Sequence, residues 1–241
     1  MQSIQVRSDQ HWVEIGPGQG ALTGPLLKTG VRLDIIELDR DLVSQLQKRY
    51  VQQQGLTLHS ADALKFDFSA LVSRQEKLHI VGNLPYNIST PLLFHLMNFS
   101  TLISTMYFML QKEVVARICA VPGSKTYGRL SVMMQLYCTT DYLFDVSAES
   151  FEPVPKVTSA VVQLTPHLRS PAKIDSMADF NMIVSQAFSQ RRKTIRNSLK
   201  KLLAEESIAA LDIDPKKRAE RLSLQDYAKI SNSYTRSTAN R

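Results

Sequence analysis

Asn83-Leu84-Pro85-Tyr86 follows directly on the apolar run Leu78-His79-Ile80-Val81-Gly82. Those four residues combine an amide oxygen, a rigid turn and an aromatic face, the set needed to hold an extruded adenine by its exocyclic amine. The Asn83 amide oxygen and the Leu84 carbonyl can both accept hydrogen bonds from that amine. Pro85 fixes its own φ and biases Leu84 away from the helical region, so the corner is stiff, and Tyr86 can stack on a base. An ordinary strand-to-helix turn with a buried tyrosine carries the same four letters, so the residues upstream decide the reading.

Upstream, three further strand ends carry acids. Glu14-Ile15-Gly16-Pro17-Gly18-Gln19-Gly20 is a glycine-rich turn between a strand and a helix. Glycines such as Gly16 and Gly18 let backbone approach a ligand, and the helix amino terminus that follows offers free N–H groups. The spacing is G-x-G-x-G and not the G-x-G-x-x-G of a dinucleotide cradle. Glu14, ahead of the first glycine, would repel a diphosphate but suits the ammonium group of a zwitterionic amino acid. Glu37, followed by Leu38, ends the second strand, where an acid can accept both hydroxyls of a ribose. Asp62 follows the third strand and can accept from an adenine amine, with the Ala63 N–H beside it. Asp39 and Asp41 read as helix caps. An adenosyl amino acid, S-adenosylmethionine, fits these ends better than NAD.

The elements that must position these residues alternate. Trp12–Ile15, Arg32–Glu37, Leu56–His59, Leu78–Val81, Met106–Leu110, Leu143–Val146 and Ser159–Leu164 read as strands. Helical patterns lie between them over Ala21–Lys28, Asp41–Tyr50, Thr90–Met97, Lys112–Cys119 and Tyr127–Tyr137. That alternation predicts an α/β fold with a mostly parallel, doubly wound sheet, whose ligands bind outside the carboxyl ends of the strands. After Thr165-Pro166 the strand signals stop. Phe180–Phe188, Arg191–Leu203 and Leu224–Ile230 read as amphipathic helices, and Asp214-Pro215 as a helix start. Residues 1–168 are therefore expected to form a cofactor-binding catalytic domain and residues 169–241 a helical one.

Charge follows the same division. From His167 onward there are 15 Lys and Arg against 8 Asp and Glu, whereas the preceding residues hold 14 of each, so the whole net charge of +7 lies in the last 75 residues. A neutral body with a basic tail suits an enzyme that carries its own grip on a polyanion. The residues expected to grip RNA are Arg191, Arg192, Lys193, Arg196, Lys200 and Lys201. At helical spacing 192, 196 and 200 fall on one face, although Arg191 and Arg196 could instead pair with acids. Cys119 and Cys138 are too few and too isolated for a disulfide framework or a zinc site, and no metal is expected. Nothing approaches the ~20 apolar residues of a membrane span. A reducing cytoplasm fits.

Together these stretches resemble the ribosomal RNA adenine N6-dimethyltransferases, most closely the bacterial small-subunit branch. The resemblance rests on Val13–Gly18, Val81–Pro91, Met109–Val114, Tyr127–Val132, Phe151–Val161 and Gln190–Leu199. It implies a Rossmann-like class I methyltransferase sheet with a small C-terminal helical domain that binds RNA. It also implies S-adenosylmethionine as cofactor, the small ribosomal subunit and its rRNA as partner, and a monomer. The activity implied is transfer of four methyl groups, two to each of two adjacent adenines near the 3′ end of small-subunit rRNA, during ribosome biogenesis. By the same resemblance Gly16, Glu37, Asp62 and Asn83 contact the cofactor, Asn83 and Tyr86 hold the target base, and Phe151 closes on it from the other side. The family's Gln-Asn-Phe-Leu signature ahead of the first strand is absent from this sequence. A methylase-derived assembly factor that binds RNA without transferring methyl groups is therefore the alternative reading. A nicotinamide oxidoreductase would need a hydride-relay group, and a DNA adenine methylase a separate target-recognition domain; neither has a counterpart in the sequence.

Overall fold

The computed structural model describes residues 4–73, 76–85, 87–151 and 157–239; Tyr86 lies outside the described residues. Seven strands, β1 (His11–Ile15), β2 (Arg32–Glu37), β3 (Leu56–Ser60), β4 (Leu78–Asn83), β5 (Ile103–Gln111), β6 (Cys138–Val146) and β7 (Ser159–Pro166), form one sheet in the order β3-β2-β1-β4-β5-β7-β6. Neighbours from β3 to β5 pair in parallel, and β7 runs antiparallel to β5. The order reverses between β1 and β4, which makes the gap above these two strands the switch point where α/β sheets bind ligands. The helices α1 (Thr23–Leu27), α2 (Arg40–Arg49), α3 (Ser89–Met97), α4 (Lys112–Ile118), α5 (Arg129–Tyr137), α6 (Met177–Ser189), α7 (Ile195–Leu199), α8 (Glu205–Ala209) and α9 (Leu224–Ala239) complete the chain.

All five residues of β1 are buried, as expected of a central parallel strand covered on both faces. Trp12, Val13, Leu33, Ile35, Ile36 and Ile80 are at most 1% exposed and supply the apolar contacts. Ionisable side chains also sit among them. Asp34 on β2 is buried and held by two imidazoles, His11 Nε2 at 2.6 Å and His59 Nε2 at 2.5 Å. Burial alone would raise its carboxyl, but the His11 and His59 hydrogen bonds outweigh it and hold it below the ordinary 3.8. His11 Nδ1 is 3.2 Å from Glu76 Oε1, close enough for an ion pair but not aligned as a hydrogen bond. The His11–Asp34–His59 bridge ties β1, β2 and β3 together, the three strands whose ends carry Glu14, Glu37 and the Asp62 loop.

The chain divides into two compact units, Met1–Val115 with Thr139–Pro166, and Ala116–Cys138 with His167–Arg241. The division expected at residue 168 thus gains a correction. The second unit takes in α5 and the end of α4 as well as the C-terminal residues, because it closes on an aromatic core that α5's flank supplies. Tyr127, just ahead of α5, stacks edge-on against Phe188, which in turn contacts Tyr227 of α9.

Two expected helices differ. Arg191–Leu203 is helical only over Ile195–Leu199, with turns on either side. The Ile195 N–H donates to Lys217 O at 2.7 Å and Thr194 bridges Arg218, so this backbone bonds to a distant segment in place of the preceding helical turn. Asp214-Pro215 is a turn, not a helix start. Asp214 Oδ1 accepts from Lys216 N at 2.8 Å and Asp214 O from Lys217 N at 3.1 Å, with proline at the turn's second position.

Candidate active site

The parallel register lines up the strand ends. Glu14 pairs with Ile35 on one side and Val81 on the other, Glu37 with Ser60, and Asn83 with Met109. Neighbouring strands lie about 4.8 Å apart, so Asp62, Glu37, Gly16 and Asn83 form a row across the carboxyl edge of four adjacent strands. The Ala61 N–H donates to Glu37 O at 2.9 Å, which locks the Asp62 loop beside the end of β2.

Each position has a local cause. Gly16, Gly18 and Gly20 all have positive φ, between 55° and 85°, where a side chain would be strained. A Cβ on Gly16 would lie 4.0 Å from Asn83 O, so the glycine turn and the Asn83 corner face each other at close range. Gly82 is required by a tighter approach: a Cβ there would come within 2.7 Å of Ile15 O. Leu84 is 1% exposed and its N–H donates to Met109 O at 3.2 Å, while the Pro85 carbonyl accepts from Ile88 N at 3.2 Å. The corner is thereby pinned on both sides, with the Asn83 side chain exposed at its tip.

The acids differ in their surroundings. Glu37 Oε1 accepts from Asp39 N at 2.9 Å, and Asp62 Oδ1 from Leu64 N at 2.9 Å, so each carboxylate is oriented by its own loop. Leu38, between Glu37 and Asp39, is 67% exposed and presents an apolar surface at the same edge. Asp39 caps α2 through Asp41 N and Leu42 N, while Asp41 sits in the helix's first turn. Glu14 is 1% exposed, and Thr23 Oγ1 donates to its Oε2 at 2.6 Å. Burial pushes the Glu14 carboxyl up to about 7, against the lowering effect of that hydrogen bond. Thr23 has no counterpart among the residues expected from the sequence; its signal is its place in the first turn of α1, directly above the glycine turn. Phe151 is half-buried, and Ser159, which opens β7, pairs with Gln111 at the carboxyl end of β5.

The six cations expected to bind RNA separate into two groups. Arg196 NH1 lies 3.0 Å from Glu205 Oε1, and Arg191 NH2 lies 3.5 Å from Glu220 Oε2 and donates to Lys125 O at 2.8 Å. These two arginines are engaged by partners within the second unit. Lys193, Lys200 and Lys201 instead line a hollow of about 390 Å³ with Gln186, Gln190, Asn197 and Ser198. Arg192 and Lys193 precede α7, and Lys200 and Lys201 follow it, so no continuous helical stripe joins 192, 196 and 200.

Residues 1–236 match the family described as ribosomal RNA adenine dimethylase. The chain belongs to that family. It is a methyltransferase. The sequence is 51% identical over 240 residues to ribosomal RNA small subunit methyltransferase A of Hydrogenovibrio crunogenus, covering 98% of this chain and 90% of that protein. It is 48% identical over 241 residues to the protein of the same name from Pseudomonas aeruginosa, covering 100% and 90%. Among solved structures, a dimethyladenosine transferase from Plasmodium falciparum superposes with a TM-score of 0.80 at 25% identity, over 97% of this chain and 93% of that one. The dimethylase family accounts for the Rossmann-like sheet with its helical C-terminal region.

Proposed function

We propose that the protein transfers methyl groups from S-adenosylmethionine to N6 of two adjacent adenines near the 3′ end of small-subunit rRNA, two to each, acting as a cytoplasmic monomer in ribosome biogenesis. The observation that carries this reading is the row of Asp62, Glu37, Gly16 and Asn83 across adjacent strand ends at the switch point. The row fits an adenosyl amino acid in order. Asp62 and the Ala63 N–H would take the adenine, Leu38 its face, and Glu37 the ribose. The Gly16–Gly18 turn and Glu14 would take the amino-acid end next to Asn83. Gly16, whose φ of 65° disfavours any side chain, brings its backbone up to the Asn83 corner, as a turn that lies against a ligand must.

When bound, the cofactor supplies a methyl group on a positively charged sulfur that leaves as a neutral thioether. The task left to the protein is orientation. Adenine N6 is a poor nucleophile because its lone pair is delocalised into the ring. By accepting hydrogen bonds from the amine, the Asn83 amide oxygen and the Leu84 carbonyl favour a pyramidal nitrogen whose lone pair points at the methyl carbon. Transfer to N6 would form an N–C bond as the donor's C–S bond broke, with the N6 proton released to solvent, so no strong base is required of these residues. Placement of this kind is worth several orders of magnitude in rate. A monomethylated amine keeps one hydrogen and a lone pair, so the same corner serves a second transfer. Extruding a base costs a few kcal/mol, which stacking on Tyr86 and Phe151 at ~1–3 kcal/mol each can offset. Arg192, Lys193, Lys200 and Lys201 supply the grip on RNA phosphates in this reading, while Arg191 and Arg196 serve the fold.

Incubating the protein with unmethylated small subunits and labelled S-adenosylmethionine tests the proposal. Digestion of the product should give N6,N6-dimethyladenosine from two neighbouring positions. Subunit binding with no label transferred would favour an assembly factor without activity.

A further inference from the structure

The hollow between the end of α6 and α7 has features that a general phosphate grip does not require. Three of its seven lining residues are lysines and none is an acid, although acids are available nearby. Glu205 and Glu220 are engaged by Arg196 and Arg191 instead, and no ion pair of Lys193, Lys200 or Lys201 occurs among the described residues. The remaining lining is neutral and hydrogen-bonding: the amides of Gln186, Gln190 and Asn197 and the hydroxyl of Ser198. Gln186 is fixed, its Nε2 donating to Ser198 O at 3.0 Å, whereas Gln190 and Asn197 are exposed toward the hollow. At about 390 Å³ the space exceeds what one phosphate needs and falls within the range of sites that enclose a small organic ligand.

Resting on the reading that this protein acts on RNA, we infer that this hollow receives one unpaired nucleotide of the RNA, its phosphates on Lys193, Lys200 and Lys201 and its extruded base on the Gln190 and Asn197 amides. Three cations converging without an acid concentrate positive potential, which an approaching phosphodiester relieves. Carboxamides present a donor and an acceptor side by side, the arrangement that reads the edge of an unstacked base. Single-stranded loops and bulges are the RNA elements whose bases are free to be read in this way. No aromatic side chain lines the hollow, so stacking contributes nothing and the base preference must come from the amides. The bland use of the same lysines is to neutralise the carbonyl ends of α6 and α7, since Lys193 follows α6 and Lys200 caps α7.

The test uses the full chain and two fluorescent RNA hairpins that differ only by one bulged nucleotide, with affinity measured by anisotropy over a salt titration. The wild type should bind the bulged hairpin several-fold to roughly tenfold more tightly, as expected of two neutral hydrogen bonds. Asn197→Ala with Gln190→Ala should erase that preference and leave the salt dependence unchanged. Each of Lys193→Ala, Lys200→Ala and Lys201→Ala should weaken binding to both hairpins and lower the salt slope by roughly 0.7–0.9. The inference is overturned if the wild type shows no preference, if the preference survives the double amide variant, or if the lysine variants lower thermal stability while binding RNA normally. Methyl transfer to small subunits, measured in parallel, separates the two levels. Transfer without bulge preference removes only this site, whereas loss of transfer in the wild type removes the reading beneath it.

Discussion

The strand-end row and the basic hollow are assembled by opposite logic, the first from residues far apart in sequence and the second from residues within one short stretch. In the first unit, Glu14 and Asn83 stand 69 positions apart in sequence and are brought together by parallel pairing, because every strand must start at one edge and end at the other. A strand end is thus a coordinate that pattern alone supplies. In the second unit, six cations crowd into eleven residues, and adjacency in sequence says little about what each does. Arg196 and Arg191 are drawn to acids nine and 29 positions away, while their lysine neighbours turn to the hollow. A sheet edge converts order into geometry; a short-helix cluster lets ion pairing sort its charges.

The largest effect should come from the core beneath the row. Asp34→Ala leaves His11 and His59 without their shared partner and should cost about 3–5 kcal/mol in urea unfolding. If stability changes by less than about 1 kcal/mol, the bridge does not anchor the strands.

Asn83→Ala comes next. Loss of an interaction made chiefly in the transition state should slow methyl transfer by ~10²–10³-fold, with the circular dichroism spectrum and RNA binding retained. Transfer within a few-fold of wild type would take Asn83 out of the reaction.

Glu14 gives a pH signature. Its folded carboxyl titrates near 7 against an ordinary value of 4.5, so the folded state holds the proton more tightly. Stability relative to Glu14→Gln should therefore be fully present below pH 4.5 and be lost as pH rises to about 7, by on the order of 3 kcal/mol at about 1.4 kcal/mol per pKa unit. Identical pH profiles for the two proteins would show that burial does not govern this carboxyl. A cofactor ammonium beside Glu14 favours the ionised form, so cofactor binding near pH 6 should release a proton, detectable as buffer-dependent heat in calorimetry.

Glu37→Ala should weaken S-adenosylmethionine binding roughly tenfold or more, the worth of a charge-assisted hydrogen bond at ~1.5–3 kcal/mol. Unchanged affinity would remove Glu37 from the ribose.

The smallest effect sharpens the comparison most. Arg196→Ala should cost no more than about 1 kcal/mol of stability, since its bond to Glu205 is partly exposed, and should leave the salt dependence of RNA binding almost untouched. Lys200→Glu should do the reverse, weakening RNA binding and flattening its salt slope with little change in melting temperature. Equal behaviour of the two variants would mean that the cations are not sorted at all.

Much of the first unit could be read without coordinates. Alternating apolar runs and helical stretches placed all seven strands, and Glu14, Glu37, Asp62 and Asn83 could be picked out because each lies at the end of a strand or just beyond it. Thr23 could not, since a threonine in a helix's first turn has many ordinary uses and only its 2.6 Å contact with Glu14 singles it out. Gly82 likewise reads as one more residue of an apolar run until the 2.7 Å approach of Ile15 O is seen.

The sequence by itself determined the sheet, its edge and the family, because burial on both faces and the pairing rules of parallel strands leave few other solutions for such a pattern. Only the tertiary structure decided how the second unit is made. Arg-Arg-Lys-Thr has ordinary helix propensity, yet Thr194 and Ile195 bond to Lys217 and Arg218, so the helix starts late and the lysines at its two ends meet across a hollow. Propensity is worth only tenths of a kcal/mol per residue, and a distant segment that offers backbone partners overrides it.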